Sequence, residues 1–366
     1  MKIVSVTTHC LRIPVDPPIR FATRVVPMRE FLVTQVETDE GIVGMSTVPI
    51  GDPVSIKAFV DRKLAPIVIG QDPFATQTLW HKMHHEVYRD RKGSAIRAVS
   101  AVDIALWDIK GKALDMPLYR LLGGGSNRVH CYASGGYWHD GKGVAGLVDE
   151  MQMYVDHGYD AAKIKIGAVS FREDEERVKA ARETLGPDRL LLIDANNGYA
   201  THEAMKVGQM LEAYDCFFFE EPVQPNNLGG SKRLADSLMI PIAAGELEYT
   251  TSGFNDLIEV GGVEIIQPDA TVAGGITEFM RIAGLAQAKH IPVAPHWEQE
   301  IHMHLVAALP NSLFVEYFMQ EINVRVEDKL YEDFVVPTNG YLEIPDRPGL
   351  GMTLQSDALT RWRIDA

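Results

Sequence analysis

The chain has 366 residues, of which 46% are hydrophobic and 23% charged, a composition that suits about two folded domains and excludes disorder, collagen and small disulfide scaffolds. Its formal net charge of −15 repels phosphate backbones and anionic lipids, so neither nucleic acid nor a membrane surface is an expected partner. Three distant cysteines, Cys10, Cys131 and Cys216, suggest neither a zinc cluster nor a disulfide framework and fit a reducing, cytoplasmic setting.

The opening MKIVSVTTHCLRIPV alternates apolar and polar residues and reads as a strand rather than a signal peptide. REFLVTQVETD and, after the turn Asp39-Glu40-Gly41, IVGMSTVPI extend it to a three-stranded antiparallel meander. The stretch 17–27 is expected to be a loop. From about Pro53 to Leu122 the period becomes helical, with Ile96, Val99, Val102, Leu106 and Ile109 at 3–4 spacing. Gly123-Gly124-Gly125 ends this first domain, 1–125. No apolar run reaches the roughly 18 residues needed to span a bilayer.

A second rhythm fills 126–325. Eight short strand-like runs recur: VHCYAS, AAKIKIG, RLLLIDA, CFFFEEP, IPIAAGE, EIIQPDA, IPVAPH and LFVEYF, with helical composition between most of them. Their polar ends fall near Ser134, Lys165, Asp194, Glu220, Glu246, Asp269, His296 and Glu316; from Lys165 onward the intervals are 29, 26, 26, 23, 27 and 20 residues. That is the length of a βα unit and predicts a parallel barrel. The Pro/Gly-rich remainder, 326–366, is expected to return to the first domain.

In such a barrel the strand ends share one mouth. Asp194, Glu220 and Glu246 end three successive strands, and three carboxylates around one point repel unless a cation lies between them. Each could instead cap its following helix. All-oxygen ligation suits Mg²⁺ first, with Mn²⁺ as a substitute. Lys163 and Lys165, two apart on one strand, point to the same face beside that site. Burial and the cation should lower the pKa of Lys165 and make it a base. On the far side Asp269 can fix the tautomer of His296, a second base. Glu316, inside LFVEYF, is expected to stay protonated and donate a hydrogen bond. A substrate carboxylate on the metal would have its α-carbon between the two bases, and proton loss would give an enediolate.

These residues resemble the enolase superfamily, mandelate racemase subgroup. AVSAVDIALWDIKGKALDMPLYRLLGG (98–124) is similar to the family's N-terminal pattern. KIKIG (163–167), DANNGY (194–199), FEEP (219–222), GE (245–246), QPDATVAGG (267–275) and PVAPH (292–296) follow in family order. The resemblance implies a modified (β/α)₇β TIM barrel with an N-terminal α+β capping domain, and a homo-oligomer between dimer and octamer. It implies Asp194, Glu220 and Glu246 as Mg²⁺ ligands, Lys165 and His296 as acid/base catalysts, and Asp269 as partner of His296. Lys163 and Glu316 would meet the substrate carboxylate, and Asn196 would contact substrate. The segments Arg20–Arg29 and Thr47–Asp52 would cover it, which makes Arg20, Arg24 and Thr47 substrate contacts. Trp297, beside His296, is a further candidate.

The implied substrate is a small carboxylate, a sugar acid. Dehydration to a 2-keto-3-deoxy acid is favoured over racemisation, because Arg20, Thr23 and Arg24 suit a polyol or a diacid. Asp269 stands where the muconate-cycloisomerase and dipeptide-epimerase branch carries Lys, which disfavours those chemistries. A non-catalytic sugar-acid binding protein is the reading from another class. His81, His84 and His85 have helical spacing but read as surface histidines; His302 and His304 are expected on the helix after the seventh strand, outside the site.

Overall fold

The computed structural model describes residues 1–49 and 51–365; Ile50, within the 47–52 stretch, and Ala366 lie outside the described residues. Strands β1 (Ile3–Phe21), β2 (Arg24–Thr38) and β3 (Val43–Val48) form an antiparallel sheet in that order. The loop expected at 17–27 is instead the far end of a long hairpin. Ile19 pairs with Val26, Arg20 with Val25 and Phe21 with Arg24. Pro14, Pro17, Pro18 and Pro27 mask these strands in the sequence, since proline cannot donate to a ladder. The register slips between Pro14 and Ile19 and then resumes.

The helix Ser94–Ala113 buries the predicted stripe and most of its other faces too. Ile96, Val99, Val102, Leu106 and Ile109 are fully buried, and Ala98, Ala101 and Ala105 let neighbours approach closely. Gly44 of β3 is one such approach: a Cβ there would lie 2.1 Å from the Ala105 carbonyl oxygen. On the opposite side Asp103 accepts from the Thr277 N–H at 2.8 Å and from its hydroxyl at 2.7 Å. Thr277 belongs to the helix Gly275–Ala288, so Ser94–Ala113 ties the sheet to the second half of the chain.

That half is a parallel barrel. Its strands are β4 (Arg128–Ser134), β5 (Ala161–Lys165), β6 (Leu190–Asp194), β7 (Phe219–Glu220), β8 (Ile242–Ala244), β9 (Ile265–Ile266) and β10 (Val315–Tyr317). Neighbours pair in chain order and β10 pairs back to β4. The seventh run contributes only bridges from Val293 to Ile266 and to Ser312, because Pro292 and Pro295 remove ladder donors on either side. The architecture is a modified (β/α)₇β barrel with an N-terminal α+β capping domain. The short strand β11 (Tyr341–Glu343) pairs antiparallel with β4.

One hydrophobic cluster fills the barrel and its helices, and a second fills the capping domain. A third lies between them and matters most for function. Ile13, Phe21 and Phe31 of the hairpin pack there with Tyr137, Trp297 and Phe318 of the barrel mouth. Each such buried side chain contributes on the order of 2 kcal/mol, so the hairpin is fixed over the mouth. The last residues also reach β1: Arg12 N–H donates to Trp362 O, and Ile364 N–H to Cys10 O, both at 2.9 Å. No helix among the described residues is long and apolar enough to cross a membrane.

Candidate active site

Strand register assembles the site. Lys165 lies opposite Asp194, and Asp194 opposite Glu220, at the ends of β5, β6 and β7. Glu246 follows β8 after Gly245. One carboxylate oxygen each from Asp194, Glu220 and Glu246 falls within 4.8 Å of the others. Asp194 and Glu220 are fully buried. Burial and the neighbouring Asp194 charge push the Glu220 pKa up to about 7, as expected of crowded carboxylates. This oxygen-only donor set fits a hard divalent cation.

Two ammonium groups balance part of that charge. Lys163 Nζ lies 3.0 and 2.8 Å from the two Glu220 oxygens and 2.7 Å from Glu316 Oε1. Lys165 Nζ is paired with Asp194 Oδ2. Burial works to lower the Lys165 pKa, but the Asp194 carboxylate outweighs it and the net shift is upward. The depressed lysine expected from the sequence is therefore not the state seen here, because its partner is a carboxylate rather than a neighbouring cation. Asn196 N–H donates to Asp194 Oδ1 at 2.7 Å, while Asn196 Oδ1 is buried without a partner.

His296 Nδ1 lies 3.0 Å from Asp269 Oδ2, which leaves Nε2 facing Glu246 at 3.4 Å. Burial opposes charge on the ring, but Glu246 and Asp269 push its pKa up to about 9. Asp269 is itself held by the Thr271 N–H and hydroxyl, both at 2.7 Å. His302 stands behind it, with Nε2 accepting the Ala270 N–H at 3.1 Å.

Glu316 departs from expectation. Its Oε1 accepts from the Ser134 hydroxyl at 2.7 Å and its Oε2 from the Trp297 N–H at 2.8 Å. Burial alone would raise its pKa, yet Lys163, His296 and Lys165 hold it far below the usual carboxylate range. It is an ionised acceptor, not a protonated donor. The sequence could not show that Lys163, two strands away, would touch it.

A cleft opens above these groups. Lys165, Asn196, Glu246 and His296 form its barrel side; Phe21, Arg24, Arg29 and Pro49 form its capping side, with Tyr137 and Trp297 between. Two substrate-contact expectations are corrected. Arg20 points outward and donates to the Ala168 carbonyl at 3.1 Å, since alternation turns it away from Phe21. Thr47 is 1% exposed and its hydroxyl lies 2.6 Å from the Tyr331 hydroxyl, so it does not reach the cleft. Arg29 takes the expected place of Arg20. Its guanidinium lies 4.4 Å from the Trp297 ring and donates to Val324 O at 3.3 Å. A signal for Arg29 was present: its cross-strand partner is Ile13, an obvious core residue. Tyr137 was missed because nothing in its run marks it. Glu221 was also passed over; it is buried beside the triad and accepts from Asn197 Nδ2 at 2.6 Å.

Fold and carboxylate triad together define an enzyme of the enolase class, and the family comparisons agree. The family described as enolase C-terminal domain-like matches residues 146–358. The mandelate racemase/muconate lactonizing enzyme N-terminal domain matches residues 3–123. The chain belongs to the mandelate racemase/muconate lactonizing enzyme family of the enolase superfamily. It is 38% identical over 341 residues to an arabinonate dehydratase of Saccharolobus solfataricus, covering 91% of each chain. It is 34% identical over 379 residues to a D-galactarolactone cycloisomerase of Agrobacterium fabrum, covering 100% of this chain and 99% of that one. A racemase structure from Streptomyces coelicolor A3(2) with bound magnesium superimposes with a TM-score of 0.92 at 29% identity, over 99% of this chain and 100% of that one. The names of these relatives thus include a cycloisomerase beside a dehydratase.

Proposed function

We propose that the enzyme removes the proton α to the carboxylate of a sugar acid and expels a β-hydroxyl as water, giving a 2-keto-3-deoxy acid. The observation that carries this is the order of groups around the mouth. Lys165 and the Asp269–His296 pair flank Asp194, Glu220 and Glu246, and both bases line one cleft. Asp194, Glu220 and Glu246 would hold Mg²⁺, which when bound supplies Lewis-acid polarisation of the substrate carboxylate.

The remaining work belongs to the chain. Lys163, between Glu220 and Glu316, places positive charge where the enediolate oxygens develop. The base on the face that carries the α-proton takes it, and the C–H electron pair enters the new C=C bond. For Lys165 to act as that base its ion pair with Asp194 must open, and burial then opposes its charge. Collapse of the enediolate breaks the β C–O bond, and His296 Nε2 supplies the proton that leaves with the hydroxyl. The enol product then takes a proton at the β-carbon and becomes the ketone. Asn196 Oδ1, unpartnered in the protein, can accept a substrate hydroxyl.

A second reading rests on the end-to-end match to a cycloisomerase. The same α-proton removal could expel a ring oxygen, which stays tethered instead of leaving as water. A library of aldonates, aldarates and their lactones and anhydro forms tests both. Semicarbazide-reactive product from open-chain acids supports dehydration, and isomerisation of cyclic forms alone supports the second reading. Exchange of the α-proton with no new product would instead mark a racemase. Failure of the purified chain to bind Mg²⁺ in a titration would favour a non-catalytic role.

A further inference from the structure

Behind Lys165 lies a buried charged cluster that the chemistry above does not use. Arg177 on the helix Phe171–Leu185, Asp174 one turn before it, and Glu150 on the helix Val144–Asp156 are all buried. Burial lowers the Arg177 pKa to about 10, with the Asp174 and Glu150 charges acting against it. A guanidinium so placed is suited to fork onto a carboxylate. Its Nη2 donates instead to two backbone carbonyls, Gly136 O at 2.5 Å and Lys165 O at 3.3 Å. The guanidinium carbon lies 4.2 Å from the centre of the Trp138 ring, and Nε is buried without a hydrogen-bond partner.

The two carboxylates are turned to the same two backbone segments. Glu150 Oε1 accepts from the Gly136 N–H at 2.7 Å and from the Tyr154 hydroxyl at 2.6 Å, while its Oε2 pairs with Lys142. Asp174 Oδ2 accepts from the Gly167 N–H and from the Tyr199 hydroxyl, both at 2.9 Å. Gly136 is thus held at its N–H and at its carbonyl. The segment Lys165–Gly167 is held at the Lys165 carbonyl and the Gly167 N–H. Gly136 has a left-handed φ of 68°, and a Cβ there would lie 2.7 Å from Ile164 Cβ, so the two segments are pressed together. Their side chains serve the cleft: Tyr137 and Lys165 both line it, with Lys165 Nζ 5.1 Å from the centre of the Tyr137 ring. An Arg177–Asp174 pair within the helix would have neutralised both charges; the observed bonds fix backbone beside the reacting groups.

Resting on the reading of Lys165 as a base, we infer that Arg177 is a positioning residue for the reaction. With Glu150 and Asp174 it fixes, from outside the cleft, the backbone that aims Lys165 and Tyr137 at the substrate. Arg177 itself does not line the cleft. It acts through Lys165, and a base displaced by about 1 Å loses on the order of a hundredfold in rate. Its removal should therefore show in the rate per assembled site, not only in how many sites assemble.

The test compares the wild type with Arg177→Met, Arg177→Lys and Tyr199→Phe, using the acid that the wild type turns over fastest. Mg²⁺ titration gives the fraction of chains with an assembled triad, and kcat is divided by that fraction. Arg177→Met should lower kcat per Mg²⁺ site by about 10- to 100-fold, with KM within about threefold of the wild type. Arg177→Lys keeps a donor without the planar fork and should recover part of the loss. Tyr199→Phe, which removes one of the two bonds that hold Asp174 Oδ2, should lower kcat per site by a few-fold. A merely structural role would reduce the Mg²⁺-binding fraction and leave kcat per site unchanged, and that result would overturn the inference. If Arg177→Met fails to fold, wild-type kcat per site in both other variants overturns it equally. Neither result touches the proposed function, which fails separately, and this inference with it, if the wild type exchanges the α-proton of no acid.

Discussion

The barrel mouth and the hairpin above it treat charge in opposite ways. In the mouth, carboxylates and ammonium groups are buried and interlocked, so Lys163 and Lys165 offset part of the charge of Asp194, Glu220 and Glu316. On the hairpin, Arg24 and Arg29 face the same space with aromatic rings as neighbours, and the nearby Glu327 charge acts on Arg29 without a direct ion pair among the described residues. The first arrangement is built for one reaction with little freedom to vary. The second is a hairpin whose side chains can differ while the barrel stays the same, which is where substrate choice belongs.

Variants separate the two regions. Lys165→Ala or His296→Asn should lower kcat by about a hundred- to ten-thousandfold, measured by product formation at saturating substrate. An equal rise in KM with kcat unchanged would move these residues from chemistry to binding and collapse the distinction. Arg24→Met and Arg29→Met, on the capping side of the cleft, should act through KM and by smaller factors.

The junction between the two regions gives a stability prediction. Burial pushes the Asp103 pKa up to about 7, well above its ordinary 3.8. Between those values the folded protein holds a proton that the unfolded chain releases, so this residue's stabilising effect is full below about pH 4 and is lost as pH rises to 7. The loss is on the order of 4 kcal/mol. Thermal melts from pH 5 to 8 should therefore show the wild type losing stability relative to Asp103→Asn; parallel profiles would remove Asp103 from the account.

The smallest effect concerns Thr47. Thr47→Val should cost about 1 kcal/mol in denaturant unfolding, through loss of the Tyr331 contact, with KM unchanged. A raised KM would restore Thr47 to the substrate.

The same division explains what the sequence disclosed. The barrel was legible because βα units repeat at nearly constant length and each strand ends on a polar residue, so Lys165, Asp194, Glu220, Asp269 and His296 could be placed by counting. Protonation states were less legible, since they depend on contacts across strands: Glu316 meets Lys163, and Lys165 meets Asp194. The hairpin was read poorly. Its prolines suppress the strand pattern, and the slipped register between Pro14 and Ile19 breaks the simple alternation that would otherwise separate Arg20 from Arg29. Val293 shows the same physics in the barrel, where prolines reduce a predicted strand to two bridges.

The central claim is that two bases on either side of the carboxylate triad act on a carbon-bound proton of a sugar acid. Proton NMR in D₂O, with Mg²⁺ and the acid-sugar library, measures this directly. The account predicts loss of the α-proton signal of at least one acid with the wild type, and its persistence when both Lys165→Ala and His296→Asn are introduced together. Undiminished exchange in the doubly substituted enzyme would contradict it.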